Sequence, residues 1–430
     1  MNTNILDFGA VNGSANVCTV AIQSAIDECA ASGGGRVTVP AGVYISGTLW
    51  LRSHVELHLE HGAKLIASTN REDYNALDAY EQNYSWPPEE WVGQHFILAI
   101  GEDDVAITGT GTIDGSGDSF FGEICDKGYS YWIHGVALAK DKEKLRPGQL
   151  ICFVECTNVR VDNVTIQNTP CWACFLHGCD FATIHGIKIF NPPHFCNTDG
   201  IDIDSCRYVT VSDCMIFTGD DAIAIRCAAY RLKNKERNCE YITVTNCVIS
   251  TCACGVRIGV GKGKIRHVQL SNLTVVEAGA LFCLISGYEG SGHITIEDVH
   301  VQNVSATSVS HPFEILDHVE AGIRNVSFDQ IYIQARYSSH IQAQQRGTIS
   351  NISLRNVDIE MIHSDGLKYV ENKPERTVMN CSGVTELLLE RIRIYMDESE
   401  RKKWAHDVTF TDCSEMETSH CKIIEANKSL

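Results

Sequence analysis

The sequence predicts an all-β chain built as a β-solenoid, a stack of short coils forming a parallel β-helix, with one helix capping its N-terminal end. Three observations predict it. Short runs alternating β-branched or apolar residues with polar ones recur at a period of roughly 20 to 35 residues. Asn or Asp commonly stands between two such runs. A single stretch with helical periodicity precedes them all.

That stretch is Val17 to Ala31, with Val17, Ala21, Ile22, Ala25, Ile26 and Cys29 at helical spacing and Gly33-Gly34-Gly35 as a stop. A solenoid exposes core and strand edges at its ends, so a helix laid over the first coil is a natural cap. The ladder starts near residue 54. Its clearest rungs are Asn158 to Ile166, Phe181 to Ile189, Tyr208 to Ile216, Tyr241 to Ile249, His267 to Val275 and His293 to Val301, followed by Ile323 to Ile333 and Ile349 to Ile359. Strands this short bury nothing alone and must stack. A propeller needs four strands per blade and a longer period. Longer irregular stretches near 69–98, 119–147, 228–239 and 361–380 interrupt the ladder, and solenoid insertions gather on a binding face. One domain is expected over 1–430, with its cap at about 1–50 and its chemistry in the coils at about 150–300.

The bulk numbers exclude several functions. With 430 residues and 44% hydrophobic content the chain buries a large core, and its net charge of −19 argues against nucleic acid or an anionic membrane as partner. The N-terminus has no basic stretch leading into an apolar run, and a cytoplasmic location is expected. Twenty cysteines are then expected to be reduced and structural. Cys156, Cys179, Cys206 and Cys381 each precede a strand-like run, a place for a small, weakly polar residue packed in layers. Cys171-Trp172-Ala173-Cys174 has the spacing of a redox pair, yet no thioredoxin-like βαβ pattern surrounds it.

Two acidic phrases stand one coil apart, Asn197-Thr198-Asp199-Gly200-Ile201-Asp202-Ile203-Asp204 and Gly219-Asp220-Asp221-Ala222. Stacking would put Asp199 and Asp220 at corresponding places on neighbouring strands, roughly 4.8 Å apart. Carboxylates that close raise one another's pKa, which suits a general acid. A calcium site and plain solvated turns are the alternatives.

At these residues the sequence resembles glycoside hydrolase family 28, the polygalacturonases and their relatives. Asp7-Phe8-Gly9-Ala10, the run from Gly34 to Tyr44, Gly109 to Gly115, Arg146-Pro147 and Thr169 to Trp172 extend the match over about residues 6 to 300. The resemblance implies a right-handed, single-stranded parallel β-helix and an inverting glycosidase that needs no cofactor. It makes Asp220 the acid that protonates the leaving oxygen, and Asp199 and Asp221 the groups that hold and deprotonate water. The chain departs from the family twice. Ala253-Cys254-Gly255 stands for Gly-His-Gly, and the stretch from Phe282 to Tyr288 has no cation where the family has Arg-Ile-Lys.

Candidate substrate-binding residues are therefore Asn197, Asp202 and Tyr288, with Arg226 and Arg257 as a relocated cation and His177 and His194 in place of the missing histidine. Trp86, Trp91, Tyr129, Tyr131 and Trp132 in the long loops are candidate sugar platforms, core packing being the other reading. The expected reaction is exo-hydrolysis of a pectin-derived or related oligosaccharide. A lyase or epimerase, a non-catalytic carbohydrate-binding solenoid and a structural spike are the rivals. The oligomeric state is open.

Overall fold

In the computed structural model, residues 1–13, 16–125, 135–140, 145–288, 292–363 and 376–425 are described. Tyr129, Tyr131 and Trp132 lie outside them. The chain is a right-handed parallel β-helix, and it divides into two compact units. The first comprises Met1–Asp126, Val136–Asp220 and Arg231–Lys235; the second comprises Lys127–Gly135, Asp221–Tyr230 and Glu236–Leu430.

In the first unit each full coil contributes three short strands. Ile151–Val154, Thr157–Asp162 and Thr165–Gln167 form one coil. Cys174–His177, Asp180–His185 and Lys188–Phe190 form the next, and Ile201–Asp204, Arg207–Ser212 and Met215–Thr218 the one after. Each strand pairs in parallel with its counterpart, as in Ile151↔Cys174↔Ile201, Thr157↔Asp180↔Arg207 and Thr165↔Lys188↔Met215. Alternate residues turn inward, so Val159, Ala182 and Val209 stack in the core while Arg160, Thr183 and Thr210 face water.

The Asn and Asp between runs have a conformational cause. The chain turns a corner there with one residue in the left-handed region: Asn163 (φ 63°), Gly186 (φ 64°) and Asp213 (φ 59°) in the first unit. These are the residue types that tolerate αL. The same corner in the second unit is Asn246, Asn272 and Asn303. There the amides also form a ladder, Asn303 Nδ2 donating to Asn272 Oδ1 at 2.7 Å and Asn272 Nδ2 to Asn246 Oδ1 at 3.0 Å. Strands Gly263–Ser286 and Ile294–Asp317 run unbroken through this corner.

The capping helix is Thr19–Ala31, buried through Ile22, Ala25, Ile26 and Cys29. Val17 lies before the helix and is exposed, bridging Ile45 instead, because the chain is still extended there. The glycine stop has φ values of 89°, 96° and 139°, and a Cβ on Gly35 would stand 1.8 Å from the Met1 carbonyl oxygen. The stretch read as irregular at 119–147 contains an antiparallel pair, Phe121–Cys125 with Val136–Ala139, and Arg146–Pro147 pairs with Trp91–Val92.

None of the twenty cysteines, every one among the described residues, is in a disulfide. Cys156, Cys179 and Cys206 stack in the core of the first unit, with the Cys179 N–H donating to Cys206 Sγ at 3.2 Å. Cys171 and Cys174 are wholly buried, and burial pushes both thiols up, so the pair packs rather than reacts.

Candidate active site

The acidic residues sit in turns, where the sequence pattern had suggested strands. Asp199 stands two residues before Ile201–Asp204, and Asp221 two residues before Ile223–Cys227. Counted from the strand that follows, Asp221 is the counterpart of Asp199, and Asp220 that of Thr198. The corner-to-strand distance sets this, and the chain has an uneven coil length that spacing alone does not reveal.

In the first unit Asp199 is 4% and Asp220 8% exposed, and their carboxylate oxygens lie within 4.8 Å. The turn that holds them is built from hydrogen bonds between side chains and backbone. The Asn197 N–H donates to Asp220 Oδ2 at 3.0 Å, made possible by φ 52° at Asn197. Thr198 Oγ1 donates to the Phe195 carbonyl at 2.7 Å and accepts from the Gly219 N–H at 3.2 Å. Thr218 Oγ1 donates to the Asp220 carbonyl at 2.7 Å. The Asp199 carbonyl in turn accepts from the Ala173 N–H at 2.8 Å, tying the turn to the preceding coil.

Sequence reasoning did not place Arg146 in this turn. Its guanidinium is wholly buried and donates to the carbonyls of Glu89 (2.6 Å), Pro170 (2.6 Å) and Cys196 (3.2 Å) and to Asn197 Oδ1 (3.0 Å), lying over the Phe121 ring at 4.6 Å. Arg146 thus fixes Asn197, and Asn197 holds Asp220. No local pattern announces this, because its partners come from segments far apart in the chain; Arg146-Pro147 was visible only as part of the family match.

Asp202 and Asp204 lie on strand Ile201–Asp204, 0% and 2% exposed, opposite Phe175 and His177. His177 is buried with its ring stacked on Phe175 at 5.2 Å. His194 is half-buried, edge-on to Phe195 at 5.0 Å, and its carbonyl accepts from the Ala137 N–H. Trp91 is buried against Tyr84 and Trp172, so it packs, whereas Trp86 is exposed.

In the second unit Asp221 is 4% exposed and is held through both oxygens. Oδ1 accepts from the Cys254 N–H at 3.0 Å and from Arg257 Nη2 at 3.4 Å, and Oδ2 accepts from Arg257 Nε. Arg257 also lies 4.9 Å from the Tyr288 ring centroid and 3.8 Å from Cys283 Sγ. Burial opposes its charge, but Asp221, Cys254, Cys283 and Tyr288 around it hold the guanidinium protonated well above its ordinary value. At the position of the absent histidine, Cys254 therefore serves Asp221 through its backbone, and the cation on this strand is committed to a carboxylate of the protein. Arg226 is half-buried on Ile223–Cys227. A separate groove of about 630 Å³ in the first unit, lined by Arg36, Glu56 and Arg160 among others, contains none of these residues.

The class of protein that carries this fold and these buried aspartates is given by the comparisons. The chain belongs to glycosyl hydrolases family 28, whose model matches residues 29–343. A probable polygalacturonase of Vitis vinifera is 26% identical over 324 residues, 73% of this chain and 62% of that one. An exo-poly-alpha-D-galacturonosidase of Dickeya chrysanthemi is 38% identical over 260 residues, 51% of this chain and 41% of that one. The chain thus spans less than two thirds of the length of these relatives. The fold is shared with a hyperthermoactive exopolygalacturonase of Thermotoga maritima, with TM-score 0.66, 22% identity, and 98% and 92% of the two chains covered. A family 28 exopolygalacturonase of Yersinia enterocolitica has TM-score 0.65 and 18% identity, with 98% and 78% covered.

Proposed function

We propose that this chain hydrolyses glycosidic bonds in a pectin-derived or related oligosaccharide, with Asp220 as general acid and Asp199 and Asp221 activating water. The observation that carries this is the Asp199–Asp220 pair: two carboxylates, each more than nine-tenths buried, with oxygens within 4.8 Å. Two such groups do not readily ionise together, so one retains a proton to donate. The family resemblance makes Asp220 the donor, and the Asn197 N–H fixes the orientation of its carboxyl. Asp221 follows it directly in the chain and is ion-paired with Arg257.

Inversion at the anomeric carbon rests on the family. Carboxyl spacing alone assigns inversion at about 6.5–9.5 Å and retention at about 5–5.5 Å. The Asp199–Asp220 oxygens, within 4.8 Å of one another, match neither range, so the spacing does not carry the stereochemistry. Exo action draws support from the Dickeya relative, an exo-poly-alpha-D-galacturonosidase. Twenty cysteines without a disulfide among them support residence in a reducing compartment.

The test is a reducing-sugar assay against pectic and neutral oligosaccharides, with proton NMR of the first anomer formed. Release of terminal sugar units with inverted configuration is expected. Unsaturated, ultraviolet-absorbing products would replace hydrolysis with lyase chemistry, and binding without turnover would leave a carbohydrate-binding module.

A further inference from the structure

A second group of ligating side chains lies in the second unit. His311, Glu314 and His340 each offer one ligand atom, and the three atoms lie within 4.8 Å of one another. We propose that these residues bind a divalent transition-metal ion.

The ligands are held by strand pairing. His311 and Glu314 belong to strand Ile294–Asp317, and His340 to Ser339–Ala343. Glu314 and His340 are direct partners in the parallel register, so their side chains leave the sheet side by side. His311 and Glu314 are 5% and 4% exposed, while the His340 side chain is 22% exposed and gives the group an entry from solvent. A carboxylate this buried needs a cation beside it.

Distances favour an ion over a simple carboxylate–imidazolium contact. Charge-assisted N–H···O bonds settle at about 2.7–2.9 Å. His340 Nδ1 stands 3.2 Å from Glu314 Oε1. Donor atoms sharing one tetrahedral ion at about 2.0–2.2 Å stand roughly 3.3 Å apart, the spacing that His340 and Glu314 already have. His311 Nδ1 lies 3.0 Å from the Ser338 carbonyl oxygen. That contact makes Nδ1 the protonated nitrogen and Nε2 the one with the lone pair, and an imidazole anchored to a carbonyl is how metal-binding histidines are oriented.

The donor set selects the ion. Two imidazoles and one carboxylate suit zinc and its neighbours, whereas calcium and magnesium require oxygens. Three protein ligands leave a position for water or for an oxygen of a bound molecule. Register also places the site: Arg257, Cys283 and Glu314 follow one another on adjacent strands, so Glu314 lies two strands, about 10 Å, from Arg257 along the same face.

The experiment is calorimetric titration of the chelator-treated full chain with Zn²⁺, repeated for His340→Ala and Glu314→Gln, with circular dichroism to check the fold and Co²⁺ absorption to report the ligands. One equivalent of Zn²⁺ is expected. His340→Ala, at the more exposed position, should fold normally and bind at least about tenfold more weakly, since losing even an outer partner costs about 10–100-fold. The Co²⁺ bands should show nitrogen and oxygen ligation. No bound equivalent, unchanged affinity in His340→Ala, or thiolate charge-transfer bands that mark the cysteines would each overturn the proposal.

Discussion

The backbone N–H of Asn197 donates to Asp220 Oδ2 at 3.0 Å, and the Asn197 side chain is itself held by the buried Arg146 at 3.0 Å. The orientation of the proposed acid is thus set by a turn in the preceding coil and by a cation from a distant loop.

Replacing Asp220 by Asn keeps its shape and its contact from Asn197 but removes the transferable proton. Turnover should fall by about 10²–10⁴-fold, the usual worth of general acid catalysis, while the melting temperature stays near that of the parent. Steady-state rates and a thermal melt check both; a variant retaining full activity would move the acid elsewhere.

Gly219→Ala should damage the same site by crowding it. A Cβ at Gly219 would stand 2.1 Å from the Phe195 carbonyl oxygen and 2.8 Å from Thr198 Oγ1. The turn must shift to admit it, at about 1–3 kcal/mol of stability. Denaturant unfolding should register that loss together with lowered activity.

Arg257→Met leaves the Asp221 carboxylate buried without its cation, the side chains of the pair being 14% and 6% exposed. Breaking such a pair costs about 3–5 kcal/mol. Arg257→Met combined with Asp221→Asn removes the stranded charge and should regain most of the stability but none of the activity. Equal stability of the single and double variants would mean that Arg257 acts through packing on Tyr288.

His95 gives the chain an acid-sensitive core contact. It is fully buried, with Nδ1 2.9 Å from the Gln149 carbonyl and Nε2 3.0 Å from the Tyr80 hydroxyl. Burial lowers its pKa from 6.5 to about 4, the Gln149 carbonyl partly opposing. Between these values the unfolded chain takes up a proton that the folded chain refuses. The contribution is therefore complete above pH 6.5 and is lost as pH falls toward 4, at most about 3 kcal/mol. Melting curves from pH 7 to 4.5 should fall more steeply for the parent than for His95→Asn.

The chain's own pattern determined its architecture. Strand alternation from Asn158 to Ile166 and its repeats, the Asn and Asp at the corners, and the apolar face Ile22, Ala25, Ile26 and Cys29 are local signals, because backbone conformation and side-chain period are written in neighbouring residues. The two acidic phrases were legible for the same reason. What tertiary structure alone decided is how those acids are held. That Asp221 answers to Asp199 depends on where each strand begins, that Arg257 is bound to Asp221 depends on which coils become neighbours, and that Arg146 braces Asn197 depends on a loop closing over 51 residues of chain. The grouping of His311, Glu314 and His340 has the same origin: register across a parallel pair joins residues whose separation in sequence is set by an intervening coil, and no periodicity reports it.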